Sequence, residues 1–388
     1  MKKALRIVAA LCLASVGVGT LVFIAHLNNA SQRDFIEYWS AGQLLTHGAN
    51  PYDSATTLTL QREAGYKGSF PQITFSPPVA LFVALPLGLV SANTGLILWM
   101  IVLLASLVVS IRLLWNLQGH PNNSLHLLGY CFAPVMACLM FGQLGIFLLI
   151  GIVLFLYFLS SRPFLSGAAL LVCVLKPHLF MPFAVALLFW MAGRKAWRTL
   201  AGFSAALLAS SALILWLDPH VWSQYSQMMR TTGVLQAWVP TLASTLRFLI
   251  DRQAVWLQFL PETCACVWAL WYFWTRRKRW NWIDHGLVVL LVSAMCTPYA
   301  WFTDESMLLP AVLTGVYCAD ESRRSIVPFG VIAGAAIVEL VAHVPITTWY
   351  FLWTTPAWLA WYLYATGRFA GRTKGIRAEG AVPNQEPV

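Results

Sequence analysis

The feature that most constrains this chain is its long unbroken apolar runs. The stretch "GLILWMIVLLASLVVSI", Gly95 to Ile111, contains no charged residue. Comparable runs occur at 7–27, 94–115, 124–141, 143–160, 165–176, 178–193, 198–217, 253–274, 283–301, 306–319, 326–343 and 348–366. They are continuous rather than alternating, which points to membrane helices and excludes a barrel. Only 10% of residues are charged, 59% are hydrophobic and the mean hydropathy is +0.67, far from a soluble domain. The expected fold is an all-α integral membrane protein, a bundle of about 12 transmembrane helices. Several runs fall short of the usual ~20 residues, which suits a bundle that thins around a cavity.

The N-terminus has the layout of a signal peptide, but its core from Ile7 to Leu27 is too long for one and no A-x-A-type site follows. It reads as a retained first span. Residues 1–367 then form a single membrane domain, and 368–388 a polar tail. The eight cysteines lie in or at the ends of apolar runs, and Cys264-Ala-Cys266 has the wrong spacing for a metal clip.

Orientation turns on "FSPPVALFVALPLGLV", residues 75–90. Pro77, Pro78 and Pro86 favour a broken interfacial helix over a straight span. With 75–90 outside the membrane core, 18 of the 25 Lys and Arg fall on the cytoplasmic side. Both termini are then cytoplasmic, and loops 28–93 and 218–252 face outward. The basic residues read as anchors dispersed at helix ends, which argues against a nucleic-acid partner.

The outer side collects polar residues from distant parts of the chain. Asp34, Glu37, Tyr38 and Ala41 follow an i, i+3, i+4, i+7 pattern and share one helix face. Ser31 with Asp34 also resembles a capping box, so Asp34 is either a helix-start acid or a functional one. Gly48 is positioned as a left-handed cap and Asn50-Pro51 as a turn. Gln143 stands at a second outer tip. Lys176 and His178 stand at a third, where a lysine either snorkels or binds a lipid phosphate. Tyr299, Asp304 and Glu305 mark another edge, readable as a solvated turn or a site. Arg230 and Arg247 are the cations of the second large loop, and His343 near the last turn reads as structural. No phosphate loop, dinucleotide fingerprint or nucleophile elbow is present. An enzyme acting on this face takes its activated substrate from the membrane.

"DFIEYWSAGQLLTHGANPYD" resembles the D-F-x-x-Y-x-x-A…G-x-x-P-Y-D opening of glycosyltransferase family 87. "FSPPVALFVALPLGLV" resembles that family's Y-P-P…P-L segment, and "GQLG" and "LKPHLFMP" its G-Q-x-N and L-K-P. Ser76 stands where the family has Tyr, and Gly145 where it has Asn. The resemblance implies a GT-C bundle with its active site on the outer, periplasmic face of a bacterial-type inner membrane, and an interfacial helix region in the first outer loop. It implies a polyprenyl-phosphate-sugar donor, often mannose, and inversion at the anomeric carbon. The acceptor would be a glycolipid or glycan, with membrane lipids around it. It also implies a carboxylate base at the position of Asp34.

An inverting transfer needs one base to take the proton of the attacking hydroxyl and cations to hold the leaving phosphate. The expected roles are Asp34 as base, kept ionised by the helix dipole. Lys176, with His178 or Arg230, would hold the phosphate. Glu37, Tyr38, Gln143, Tyr299, Asp304 and Glu305 would bind substrate. No cofactor or metal is expected. The alternatives are a lipid or solute transporter, which would favour internal repeats and midplane charges, and an acyltransferase centred on His178 or His343.

Overall fold

The computed structural model describes residues 34–231, 238–342 and 349–368. The span at 7–27, Ser31, Arg33, His343 and the tail beyond 368 lie outside the described residues. These contain helices and no strand. In chain order the α-helices are α1 Phe35–Thr46, α2 Ser54–Glu63, α3 Ala92–Leu117, α4 Ala133–Phe141, α5 Gly145–Phe158, α6 Pro163–Ala169, α7 Met181–Arg194 and α8 Trp197–Leu217. They continue as α9 Val221–Thr231, α10 Leu242–Ile250, α11 Leu260–Arg276, α12 Leu287–Cys296, α13 Leu309–Glu321, α14 Val327–Ala342 and α15 Thr354–Ala365.

Among the described residues, α3 and α8 are the two helices long and apolar enough by themselves to cross a membrane. Prolines explain why the other runs are cut. Pro134, Pro163, Pro182, Pro261 and Pro310 each sit in the first turn of their helix, where a missing N–H costs nothing. The residues before or after often continue as 3₁₀ turns, as at Leu125–Cys131, Leu170–Leu175 and Phe302–Leu308. A 3₁₀ turn rises ~2.0 Å per residue against ~1.5 Å in an α-helix, so these composite rods reach further than their length implies. The run at 253–274 is α-helical only from Leu260, after a 3₁₀ turn at Val255–Gln258, because Pro261 fixes the start of the α-helix there. Only 17% of the most apolar window of α8 is buried, so its surface suits an apolar surrounding.

The segment 75–90 is not a straight helix. It forms two short 3₁₀ helices, Pro78–Val83 and Leu85–Leu89, as its prolines predict. Its role is to clamp α1. A Cβ at Gly42 would run into the Ala84 carbonyl, and one at Gly88 into the Gly42 carbonyl, so the two backbones touch directly. The Gln43 amide and the Trp39 indole both donate to the Val90 carbonyl, at 2.8 and 3.0 Å. Gly48 adopts φ +70°, closing α1 in the left-handed conformation. Asp53 then caps α2 by accepting from Thr56 N at 2.7 Å, and the Tyr52 hydroxyl donates to the Ser76 carbonyl at 2.9 Å. α6 and α8 also pack backbone to backbone through Gly167 and Gly202, the small-residue contact common between membrane helices.

The loop 218–252 is less aqueous than its position in the sequence predicts. α10 buries Ser244 and Arg247 while Leu249 and Ile250 point outward. Arg247 donates to the Arg252 carbonyl at 2.8 Å and to Gln258 at 2.9 Å, and Gln258 donates to the Pro298 carbonyl at 2.7 Å. Polar side chains inward and apolar ones outward reverse the pattern of a helix lying on a protein in water.

Candidate active site

The tips of the helical hairpins meet at one end of the bundle, and their contacts build the site. Gly142 ends α4 at φ +69°, where a Cβ would press on Phe35. The tip therefore lies against the start of α1. The Gly142 carbonyl accepts from the Trp99 indole at 2.8 Å. Trp99 stacks on Tyr38 with centroids 5.3 Å apart and meets Phe147 edge-on. This aromatic group carries Tyr38 and Gln143 into register. The Tyr38 hydroxyl donates to Gln143 Oε1 at 2.9 Å, and Gln143 Nε2 donates to Asp34 Oδ2 at 2.6 Å. The Cys138 thiol donates to the Gln143 carbonyl at 2.8 Å and pins that residue's backbone.

Asp34 precedes α1 but its carboxylate makes no capping hydrogen bond. One of its oxygens is held by Gln143 instead, and Ser31, the other half of the expected capping box, lies outside the described residues. Burial holds the Asp34 carboxyl above the usual range, against the pull of the Gln143 hydrogen bond and the nearby Lys176 charge. Glu37, one turn along, is pushed up to about 8 by burial, with the Asp34 charge adding to the effect. Both acids lie outside the apolar runs.

Lys176 breaks the rod between Leu175 and Pro177 and turns its ammonium onto Asp304 Oδ1 at 2.7 Å. Asp304 is 1% exposed and Lys176 12%. The other Asp304 oxygen accepts from Trp301 N at 3.0 Å. Both Asp304 oxygens are thus occupied, which makes it the counter-charge that fixes Lys176. Gly145 has a packing reason for replacing the family's Asn: a Cβ there would strike the Thr303 carbonyl. The glycine brings α5 against the turn that carries Asp304. His178 meets the Tyr299 ring edge-on at 5.8 Å, its Nε2 is buried without a partner, and the Tyr299 hydroxyl accepts from the Trp301 indole at 2.9 Å.

Glu305 faces away from Lys176. Its Oε1 accepts from the Thr354 and Thr355 hydroxyls at 2.5 and 2.9 Å, while Oε2 has no partner. Burial pushes Glu305 up to about 8, opposed by those two hydroxyls. A cavity of about 20 Å³, lined by Thr241, Trp301, Asp304, Glu305 and Thr355, adjoins it. That is room for about one water.

The fold thus brings together Asp34, Glu37, Tyr38, Gln143, Lys176, His178, Tyr299 and Asp304, with Glu305 at the rear. It does not bring Arg230 into this group. Arg230 is exposed on the last turn of α9, and α9 packs through Val221 and Met228 on the cluster containing Ala41, Leu45 and Tyr52. Sequence reading missed Trp99, Trp301, Cys138 and Thr354. The one signal for them was the position of Trp99 near the start of a span and of Trp301 beside the acids.

The arrangement couples two half-buried acids to a half-buried ammonium at one end of an apolar bundle. Such a site accepts a proton on one side and holds an anion on the other. No curated protein and no solved structure matches the chain. A sequence model described as glycosyltransferase family 87 matches residues 75–298, more than half of the chain. The matched stretch holds Gln143, Lys176 and His178; Asp34 lies before it and Asp304 after it. The chain belongs to glycosyltransferase family 87 and is a glycosyltransferase.

Proposed function

We propose that this enzyme transfers a hexose, mannose first among them, from a polyprenyl-phosphate sugar to a lipid-linked or glycan acceptor, with inversion. It works at the outer face of a bacterial-type inner membrane, as a multi-pass bundle of about twelve spans with both termini cytoplasmic. The observation that carries the reading is the placement of Asp34 within the field of Lys176 at the edge of an apolar bundle. A lipid-borne donor presents its reacting carbon at that depth, one bond away from a phosphate.

Asp34 takes the proton of the acceptor hydroxyl as the new C–O bond forms. The bond from the anomeric carbon to the phosphate oxygen breaks on the opposite face, and its electron pair leaves with the phosphate. Lys176 offsets the charge that grows there. Gln143 holds one Asp34 oxygen and leaves the other to receive the proton. Glu37, largely protonated at neutral pH, is suited to donate a hydrogen bond to a sugar oxygen. His178 Nε2, unpartnered beside Lys176, is the second group placed to meet the phosphate.

The test is sugar transfer by the purified enzyme from a panel of polyprenyl-phosphate hexoses and nucleotide sugars. Product is expected from a polyprenyl-phosphate hexose alone. Transfer from nucleotide sugars and from no lipid-linked donor would overturn the donor assignment.

A further inference from the structure

The other end of the bundle carries a feature that the transfer reaction does not use. In sequence, "RKAWR" (194–198) and "RRKR" (276–279) look like separate anchors. In the fold they form one surface. α7 packs on α11, and Arg194 Nη2 donates to the Arg277 and Lys278 carbonyls at 3.5 and 3.3 Å. Arg194, Lys195, Arg198, Arg277, Lys278 and Arg279 are all exposed, and Arg276 is half-buried beside them. None of these seven has a carboxylate partner among the described residues. The nearby acid Asp284 faces Arg368 instead. The expectation of dispersed basic residues is therefore corrected at this point.

Two further features narrow what such a surface binds. Arg276 stacks 4.1 Å over Tyr272 and Arg277 4.5 Å over Trp274, so the guanidinium planes are held by aromatic rings rather than left free. Trp197, Trp271 and Trp274 are exposed around the patch. On the same two helices, Leu188, Phe189 and Val267 continue an exposed apolar flank away from the charges. Cations, then interfacial tryptophans, then apolar side chains is the order of polarity met along one phospholipid.

We propose that the joined basic ends of α7 and α11 bind the phosphate headgroup of an anionic glycerophospholipid, with its acyl chains along the apolar flanks of the two helices. Like charges gathered without partners repel one another, and a phosphodiester placed among them offsets that repulsion. A nucleic acid or acidic protein would use the charges and leave the apolar flanks uncovered.

The test uses the full chain purified in a neutral detergent. Native mass spectrometry with equimolar phosphatidylglycerol and phosphatidylcholine reads which lipid is retained. Phosphatidylglycerol is expected at about tenfold preference. Arg277→Glu/Lys278→Glu/Arg279→Glu should abolish that preference, and the corresponding Gln variant should weaken it should the charge reversal fail to fold. Equal retention of the two lipids by the wild type would overturn the proposal, as would full preference in both variants. Displacement of phosphatidylglycerol by millimolar inorganic phosphate or by a short oligonucleotide would overturn it too, since the acyl chains would then add nothing.

Discussion

The two polar ends of this molecule use charge in opposite ways. At the end bearing Asp34 the charges are of both signs, buried or half-buried and individually held: Asp34 by Gln143, Lys176 by Asp304, Glu305 by two threonines. At the end bearing Arg194 and Arg277 they are of one sign, exposed and without carboxylate partners. Burial sharpens each interaction and makes it costly to disturb, which is what a reaction needs. Exposure keeps each interaction weak and additive, which is what adhesion to a surface needs. Substitutions at the two ends should therefore differ in size and in what they affect.

The largest effect is expected at Asp34. Asp34→Asn keeps the shape and a carbonyl oxygen for Gln143 but removes the proton acceptor. Turnover should fall by roughly 10²- to 10⁴-fold, with donor binding retained. Glu37→Gln, which only swaps one neutral donor group for another at neutral pH, should slow the enzyme far less. Product formation and donor binding by each purified variant check this. Wild-type turnover in Asp34→Asn would move the base elsewhere.

Lys176 comes next, because its loss has two consequences. Lys176→Ala removes the phosphate-holding charge and should cost roughly 10- to 1000-fold in rate. It also leaves Asp304 buried without its counter-charge, which costs on the order of 3–5 kcal/mol. Lys176→Met/Asp304→Leu should recover much of that thermal stability and none of the activity. Recovered activity in the double variant would reduce Lys176 to a structural partner of Asp304.

How much of this was legible in the sequence depends on range. Apolar runs located the helical stretches, since hydropathy acts within a few residues, but not their starts, which prolines reset, as Pro261 does in the run 253–274. "GANP" marked the end of α1 and the turn, with Gly48 at positive φ, while the capping of α2 by Asp53 was not read. Lys/Arg asymmetry and motif resemblance singled out Asp34, Gln143 and Lys176. What was not legible is which atoms meet. Gln143 read as a turn residue or a substrate ligand, because nothing local links it to Asp34. Asp304 read as a substrate ligand, and both its oxygens are occupied by protein. Asp34 read as ionised by its helix, because the dipole is local and burial is not. The two basic turns read as separate, because the packing of α7 on α11 leaves no mark in either stretch. Arg230 was included for its charge alone, and α9 packs further along α1, at Ala41 and Leu45.

Acid titration offers a smaller test of the same contrast. Glu37 and Glu305 each rise from an ordinary 4.5 to about 8 on folding. Between those values the folded state binds more protons than the unfolded one, so stability falls as pH rises. The contribution is full below about pH 4.5 and is lost as pH passes through about 8. Melting in detergent should therefore drop by several degrees from pH 5 to pH 8.5, and Glu37→Gln and Glu305→Gln should each flatten the slope. Activity should run the other way, because the base must be ionised. It should increase with pH through a step above the usual carboxylate range, set by Asp34. A melting temperature that rises over this interval would mean that these acids are charged in the folded protein.

The smallest effect is expected at the basic end. Arg277→Gln/Lys278→Gln/Arg279→Gln removes three exposed charges that touch no group of the acidic site. In detergent with saturating donor, turnover should stay within about twofold of wild type, since exposed surface substitutions usually change stability by less than ~0.5 kcal/mol. The variant should differ only where anionic lipid is present: the wild type gains thermal stability on adding phosphatidylglycerol, by mass action on the folded state, and the variant should gain less. Salt should weaken the gain in the wild type, because the patch is open to screening, and leave the Lys176–Asp304 pair largely unaffected. A loss of turnover in lipid-free detergent would show that the two ends are coupled through the bundle, and the division between a buried reactive end and an exposed adhesive one would no longer hold.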